Sequence, residues 1–324
     1  MKLRNRQTLT YTITGLTLIV LACIDIHIGA IKLSTAEIIH AIIGHSGEAV
    51  QAIILKLRLP RIITAILAGA GLAISGAQMQ AVFRNPLADP HILGVSAGAG
   101  TGVAIATVTL GTGLVTSIAA SIGAICICLI IIWISTKMRR ASELLIAGVM
   151  LGFIMSAITS VIEYQANETS LKIYWNWAAG SFSGNSWPEI GTMFIAIAIG
   201  LLVSILQNKG LSLLLFGDDY ATSAGANVRK IRFMSMLSCS IITGAVTAFC
   251  GPIGFVGIVA PHIAKAISGQ AAMKTILPLS LMTGATICVA GDILSQLWKT
   301  PIPVGSTIAL IGIPIILLVM RKHS

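Results

Sequence analysis

The segment GDDYATSAGANVRKIR, residues 217–232, is a compact polar block between two apolar stretches, each long enough to cross a bilayer. Asp218 and Asp219 suit the start of a helix, where unpaired N–H groups and the helix dipole favour anions. Gly225 permits the sharp reversal that ends a short helix. The basic residues that follow would form a second short helix leading into the next span. The block therefore predicts a helix–glycine–helix hairpin at the membrane surface, shaped for a partner's groove and without chemistry of its own.

The composition places the rest of the chain in lipid. Hydrophobic residues make up 56% of the 324 residues, charged residues 10%, and the mean hydropathy is +0.93. A soluble domain would carry about a quarter charged residues, and a membrane β-barrel would alternate apolar and polar positions in short segments. We therefore predict an all-α, polytopic membrane protein. The basic residues that give the net charge of +10 lie beside apolar runs, so the charge indicates membrane topology rather than nucleic-acid binding.

Apolar windows predict about ten spans in a single transmembrane domain, residues 1–324. These windows are 9–28, 62–82, 92–109, 114–136, 143–164, 189–206, 231–250, 255–267, 275–297 and 304–320. With the N-terminus in the cytoplasm, fifteen of the 21 lysines and arginines fall in inside segments. This bias is what the positive-inside rule expects, and it places both termini and the block 217–232 on the cytoplasmic side.

A weak internal repeat joins the second and seventh spans. Gly69 and Gly76 have the same spacing as Gly244 and Gly251, and each pair is followed by a Pro-His-Ile triplet, at residues 90–92 and 261–263. The two spans run in opposite directions in the predicted threading. An inverted-topology repeat, common in transporters, is therefore expected.

Catalytic patterns are weak in this sequence. Residues 94–98, Gly-Val-Ser-Ala-Gly, fit the G-x-S-x-G nucleophile elbow, but that motif requires a preceding strand. Here it opens a helix with small residues at four-residue spacing, which favours close helix packing. No phosphate-loop motif occurs. His91 and His262 each follow a proline near a membrane boundary and are interpreted as capping or interface residues.

Three acidic residues lie within the predicted spans, Asp25, Glu163 and Asp292. All are near the outer ends, where we expect water to reach them, so they favour helix pairing or interface contacts over a proton relay. The near absence of ionisable residues elsewhere in the spans argues against a carrier driven by an ion gradient. The aromatic stretch at residues 174–177 predicts a short helix along the outer surface.

Short motifs in order along the chain carry a family resemblance. Asp219-Tyr220-Ala221-x-x-x-Gly225 resembles the E-A-A-x-x-x-G coupling motif of ABC importer permeases. The whole chain resembles the FecCD family, the permeases for ferric siderophores, haem and cobalamin. The motifs that carry this resemblance are LRLPR at 57–61, GA-x-MQ at 76–80, RNPLA-x-P at 84–90, LGVS-x-GA at 93–99, GPIGFVG at 251–257, PHI at 261–263 and PVG at 303–305.

The resemblance implies a type II ABC importer permease architecture and a set of partners. Two permease copies would line one pathway, two cytoplasmic ABC ATPase subunits would grip the coupling helices at about 212–229, and a periplasmic or lipid-anchored binding protein would deliver the cargo. ATP and Mg²⁺ would bind to the ATPases, with no cofactor in this chain. The residues implied are Asp218, Asp219, Ala221 and Gly225 for coupling, Arg58, Arg61 and Lys299 for docking, and Asn85, Pro86, Leu87, Ala141, Ser142 and Glu143 for gating.

We therefore predict the permease subunit of an ATP-driven importer of a metal chelate, a ferric siderophore or else haem or cobalamin, in the bacterial cytoplasmic membrane. The alternative is a secondary carrier that works alone. An intramembrane enzyme built on Ser96 and the two histidines is the third hypothesis. In the family, an Arg often follows the Asp near the end of the ninth span, and Gln296 stands there in this sequence.

Overall fold

All the regular elements are helices in the part of the chain that the computed structural model describes, residues 2–110, 115–138, 140–298 and 300–323, with side chains from residue 7 to residue 316. A π-helical turn, Ile53–Arg58, precedes α4, and a 3-10 turn, Pro90–Leu93, precedes α5. The α-helices are α1 Lys2–Asp25, α2 Thr35–Ile43, α3 Glu48–Ala52, α4 Leu59–Phe83, α5 Val95–Leu110, α6 Thr116–Lys137, α7 Ala141–Gln165, α8 Glu168–Ala178, α9 Trp187–Leu206, α10 Asn208–Leu214, α11 Asp218–Ser223, α12 Val228–Cys250, α13 Val256–Ser268, α14 Met273–Gln296 and α15 Val304–His323. The predicted all-α class is confirmed.

Seven of the described helical segments are long and apolar enough to cross a membrane. They contain α1, α4, α6, α7, α9, α12 and α14. Three shorter apolar helices, α5, α13 and α15, lie where the other three spans were predicted. The 16 residues of α5 and the 13 of α13 extend only about 24 and 20 Å, less than the roughly 30 Å hydrocarbon core. A count of ten complete crossings therefore stays a prediction.

Glycine crossings hold α4 at the centre of the bundle. A Cβ on Gly69 would lie 2.3 Å from the carbonyl oxygen of Gly284 in α14, and a Cβ on Gly76 would lie 1.9 Å from that of Gly257 in α13. Backbone therefore meets backbone at both crossings, and only glycine fits. Small residues allow this close approach of helices in lipid, where dispersion contacts replace the hydrophobic driving force.

The predicted close packing of the G-x-S-x-G segment is confirmed. A Cβ on Gly98 would lie 2.8 Å from the Gly123 carbonyl oxygen, and a Cβ on Gly102 would lie 2.3 Å from that of Ala119. Both contacts are with α6. The small residues of this motif therefore serve helix contact.

The residues matched in the predicted repeat occupy different local structures. Gly69 and Gly76 both lie inside α4, whereas Gly251 caps the end of α12. Pro90 opens a 3-10 turn, whereas Pro261 lies inside α13. These residue matches do not support the inverted repeat, which stays a prediction. In both halves, a long helix is followed by an irregular segment and a short apolar helix.

Contacts between distant residues define the two ends of the bundle. The end of α1, the start of α4 and the end of α14 meet where Arg61 contacts Asp25 and Asp292. At the other end, Arg229 at the start of α12 donates to the carbonyl oxygen of Thr136 near the end of α6. These groupings agree with the predicted alternation of the spans. The predicted short helix after the fifth span is α8, in which Trp175 is 61% exposed.

Candidate functional site: the coupling helix, the gate loops and the outer charge cluster

The short helix α11 is formed by the polar block of the sequence. Gly217 enters it at φ +114°, and Asp218 and Asp219 occupy its first turn. Carboxylates at this end are stabilised by the unpaired N–H groups and the helix dipole. The Thr222 hydroxyl donates to the carbonyl oxygen of Asp218, 2.8 Å away. The acidic start predicted from the sequence is confirmed.

Gly225 ends α11 in a Schellman motif. Its φ is +82°, its N–H donates to Thr222 O at 2.9 Å, and the Ala226 N–H donates to Ala221 O at 2.9 Å. These are the 5→2 and 6→1 hydrogen bonds of that cap. The predicted reversal at Gly225 is confirmed. The predicted separate second short helix is wrong, because the basic residues form the first turns of the continuous helix α12.

The predicted coupling residues divide into two kinds. Asp218 forms an ion pair with Arg232 of α12, and Ala221 is fully buried. Both therefore hold α11 against its own chain. By contrast, Asp219 is exposed, and Tyr220 is 54% exposed with its ring 5.3 Å from that of Phe216. Sequence reasoning missed the structural role of Arg232, since nothing in the local pattern identifies its partner fourteen residues upstream.

Two exposed segments, the predicted gate loops, flank α11. The first begins at Arg84, in the left-handed region at φ 49°, and a Cβ on Gly217 would lie 3.3 Å from the Arg84 Nη1. Asn85 then accepts a hydrogen bond from the Leu87 N–H at 2.9 Å, which shapes the turn, and Leu87 is 45% exposed while Pro86 is also exposed.

The second gate loop is the first turn of α7, which contains Ala141, Ser142 and Glu143. Ser142 and Glu143 are exposed, and the adjoining residues Arg140 and Leu144 line a cleft together with Asp218 and Thr222 of α11. Both loops therefore lie near α11, the first through Arg84 and the second across this cleft. Their gating role stays a prediction.

At the opposite end, Arg61 lies between two buried carboxylates. Its Nη2 is 3.0 Å from Asp25 Oδ1 and its Nε is 2.8 Å from Asp292 Oδ2. The side chains of Asp25 and Asp292 are 0% and 1% exposed. The expectation that water reaches these two acids is wrong, whereas the expectation of helix pairing is confirmed, because the cluster joins α1, α4 and α14.

Arg58 and Arg61 are also buried, at 4% and 7% exposure. Arg58 donates to Ile26 O at 2.7 Å and to Ile31 O. The two guanidinium groups therefore hold the segment after α1. Neither presents the exposed positive charge that was expected for docking. Gln296 is the last residue of α14, and the third predicted docking residue, Lys299, lies outside the described residues.

His91 and Ser96 link the two irregular segments beside α5 and α13. His91 Nδ1 contacts the Ser96 hydroxyl, His91 Nε2 is 2.7 Å from Ile253 O, and the Ser96 hydroxyl is 3.1 Å from that of Thr247. The carbonyl of Ile253 can only accept, so Nε2 carries the proton and Nδ1 accepts from Ser96. A 3-10 turn, not a strand, precedes Ser96, so the segment lacks the strand–turn–helix geometry of a nucleophile elbow. His91 therefore connects segments of the chain.

A polytopic helical bundle with a short, capped surface helix between two loops is the arrangement expected of the membrane permease of an ABC importer, and the comparisons with known proteins agree with this class. A solved structure described as a metal-chelate type ABC transporter in an inward-facing conformation superimposes with a TM-score of 0.86, at 27% identity, over 97% of this chain and 99% of that one. The chain belongs to the FecCD transport family, which it matches over residues 17–322.

Curated relatives align with nearly the whole chain. It is 34% identical to the Fe(3+)-citrate import system permease protein YfmE of Bacillus subtilis (strain 168), over 98% of this chain and 96% of that protein. It is 32% identical to the Vitamin B12 import system permease protein BtuC of Vibrio vulnificus (strain CMCP6), over 95% of this chain and 94% of that protein. The chain is thus a transport component and not a catalytic enzyme.

Proposed function

We propose that this permease carries a metal chelate across the bacterial cytoplasmic membrane, with both termini in the cytoplasm. It forms a homodimer, works with two cytoplasmic ABC ATPase subunits that hold ATP and Mg²⁺, and receives its cargo from a periplasmic or lipid-anchored binding protein. No cofactor resides in this chain. The cargo is a ferric siderophore, haem or a corrinoid, and the binding protein sets most of the choice among them.

The geometry of α11 is the observation that carries this proposal. The helix is held to its own chain by the Asp218–Arg232 ion pair and the buried Ala221, while Asp219 and Tyr220 remain exposed. A partner that binds the exposed side and moves would therefore displace α11 as a unit. Both gate loops lie near α11, and we propose that this movement opens or closes the pathway between outward-facing and inward-facing states.

The outer end of the bundle is the proposed docking surface for the binding protein. Since Arg58 and Arg61 are buried, their proposed role is to fix the shape of this surface. Lys56, which is exposed on the π-helical turn beside them, would supply exposed positive charge there, and Lys299 stays a proposed docking residue. Exposed charges of this kind steer and orient docking, and their effect weakens with salt.

The alternative of an ion-coupled carrier is less well supported. Asp25 and Asp292 are buried within spans, where carboxylates are candidates for ion sites. Both, however, contact Arg61. Because these two ion pairs join three helices, they indicate a structural role for the acids. The similarity to ABC importer permeases over nearly the whole chain also favours the ATP-driven mechanism.

The test is ATP-dependent uptake in proteoliposomes that contain this chain and its cognate ATPase. Gly225→Pro removes the N–H that bonds to Thr222 and cannot adopt the φ of +82°. Gly269→Pro is the matched control, since Gly269 also ends its helix, α13, in the left-handed region, at φ +64°, and its N–H donates to the carbonyl oxygen of Lys265 in that helix.

We expect Gly225→Pro to abolish uptake while the complex still assembles and hydrolyses ATP, and Gly269→Pro to retain uptake. Equal losses in the two variants would show that any broken helix cap at this end stops transport. Uptake by the wild-type chain without an ATPase, driven by an ion gradient, would establish the carrier instead.

A further inference from the structure

A cleft of about 360 Å³ separates α11 from the start of α7 and the end of α6. Three arginines and one aspartate line it, Arg140, Arg229, Arg232 and Asp218. We call it the basic cleft. Its charged side chains carry an excess positive charge of two, within a membrane protein that is poor in charge overall. An excess of this size at one cleft attracts an anion.

The contacts of the three arginines show which of them would meet a ligand. Arg232 is paired with the cleft's one carboxylate, Asp218, and Arg229 donates to the backbone carbonyl of Thr136. Among the residues that the structure describes, the guanidinium of Arg140 has no ion pair within 4.0 Å. The guanidinium groups of Arg140 and Arg229 therefore face the cleft without an ion pair, while the Glu143 carboxylate accepts from the backbone N–H of Arg140 at 3.3 Å.

A phosphate group is the anion that this arrangement suits. The planar guanidinium presents five donors in a fork that matches phosphate oxygens and binds them through paired, charge-assisted hydrogen bonds. Val228, the first residue of α12, also lines the cleft, so the positive end of that helix dipole adds to the field. The carboxylate of Asp218 opposes an anion, but its pairing with Arg232 offsets that charge.

The surroundings of the cleft point to a lipid as the source of the phosphate. The cleft lies where α6 ends and α7 begins, at the ends of two candidate membrane spans, and on the outward faces of the same helices Leu129 is 61% exposed, Trp133 64%, Ile146 58% and Met150 54%. Tryptophan is enriched at the level of lipid head groups, and basic pockets between spans on the cytoplasmic side bind anionic head groups. We propose that the basic cleft binds the phosphate group of an anionic phospholipid at this boundary of the membrane.

The test needs neither cargo nor ATPase, so it is independent of the proposed transport function. The purified full-length chain in a neutral detergent is titrated with short-chain phosphatidylglycerol, short-chain phosphatidylcholine or inorganic phosphate, at constant ionic strength. A ligand that binds only the folded chain raises the midpoint of thermal unfolding by mass action, which yields an apparent affinity. Arg140→Gln is compared with Lys230→Gln, which removes the same charge from an exposed neighbouring position that does not line the cleft.

We expect phosphatidylglycerol to stabilise the wild-type chain, and Arg140→Gln to weaken its apparent affinity about tenfold, as the loss of one charge-assisted hydrogen-bonded contact implies. Lys230→Gln should change it little. An equal effect of inorganic phosphate would keep the phosphate site but assign it to a free anion. Equal stabilisation by phosphatidylcholine, or equal losses in the two variants, would overturn the proposal.

Discussion

Replacing Arg61 with leucine should strongly destabilise the bundle. The variant leaves the carboxylates of Asp25 and Asp292, 0% and 1% exposed, without their cation. Removing one partner from a buried ion pair costs about 3–5 kcal/mol, because the remaining charge stays buried and uncompensated. The matched control is Lys56→Leu, an exposed cation five residues away on the same outer end, for which we expect a change within about 0.5 kcal/mol.

A triple variant separates buried charge from lost packing. Arg61→Leu combined with Asp25→Asn and Asp292→Asn removes all three charges, and replacing a whole buried ion cluster costs far less than removing one member. The measurement is the midpoint of unfolding of each purified variant in the same detergent. We expect the triple variant to recover a large part of the stability that Arg61→Leu loses.

Two results would refute this reasoning. If Arg61→Leu unfolds at the same midpoint as Lys56→Leu, the ion cluster does not hold α1, α4 and α14 together. If the triple variant is no more stable than Arg61→Leu, the loss comes from packing around the side chain rather than from uncompensated charge.

Three further changes test the helix crossings and α11. Gly69→Ala places a Cβ 2.3 Å from Gly284 O, so overpacking should lower the free energy of unfolding by about 1–3 kcal/mol. The measurement is the midpoint of unfolding, which should fall. The Cβ that Gly225→Ala adds meets nothing within 4 Å, so the left-handed backbone alone should lower the free energy of unfolding, by about 1–2 kcal/mol. Uptake per ATP should fall in this variant. Gly269→Ala, whose added Cβ also meets nothing within 4 Å, should leave uptake per ATP unchanged. Asp219→Ala should weaken ATPase binding, measured by co-purification, without changing the unfolding midpoint, because its side chain is exposed.

The sequence was sufficient for the elements whose signals are local. Apolar runs predicted the order of the main helices, and Gly225 after two acids predicted both ends of α11. One local signal was overlooked: Ser34-Thr-Ala-Glu37 is a capping-box pattern, and it opens the short helix α2 with hydrogen bonds of 2.7 and 3.3 Å.

The pairing of charged residues could not be predicted from local patterns. Arg61 contacts one acid 36 residues earlier and another far later in the chain, and helical periodicity does not tell which distant helix ends meet. Position near a span's end suggested exposure for Asp25 and Asp292, but their shared contacts with Arg61 accompany their burial between the helices. The contact between Gly69 and Gly284, which are also distant in sequence, could not be predicted for the same reason.

The glycine crossings of α4 have a consequence for how the permease moves. Where backbone touches backbone, no layer of side chains lies between the helices to exchange rotamers as they slide, so α4, α13 and α14 should behave as one rigid block. Helix α7, whose residues are largely exposed, has no such constraint along most of its length. Probe distances between α4 and α14 should stay constant through the ATP cycle, while those between α4 and α7 change. The permease would then combine a fixed block of helices with a mobile α7 within one chain.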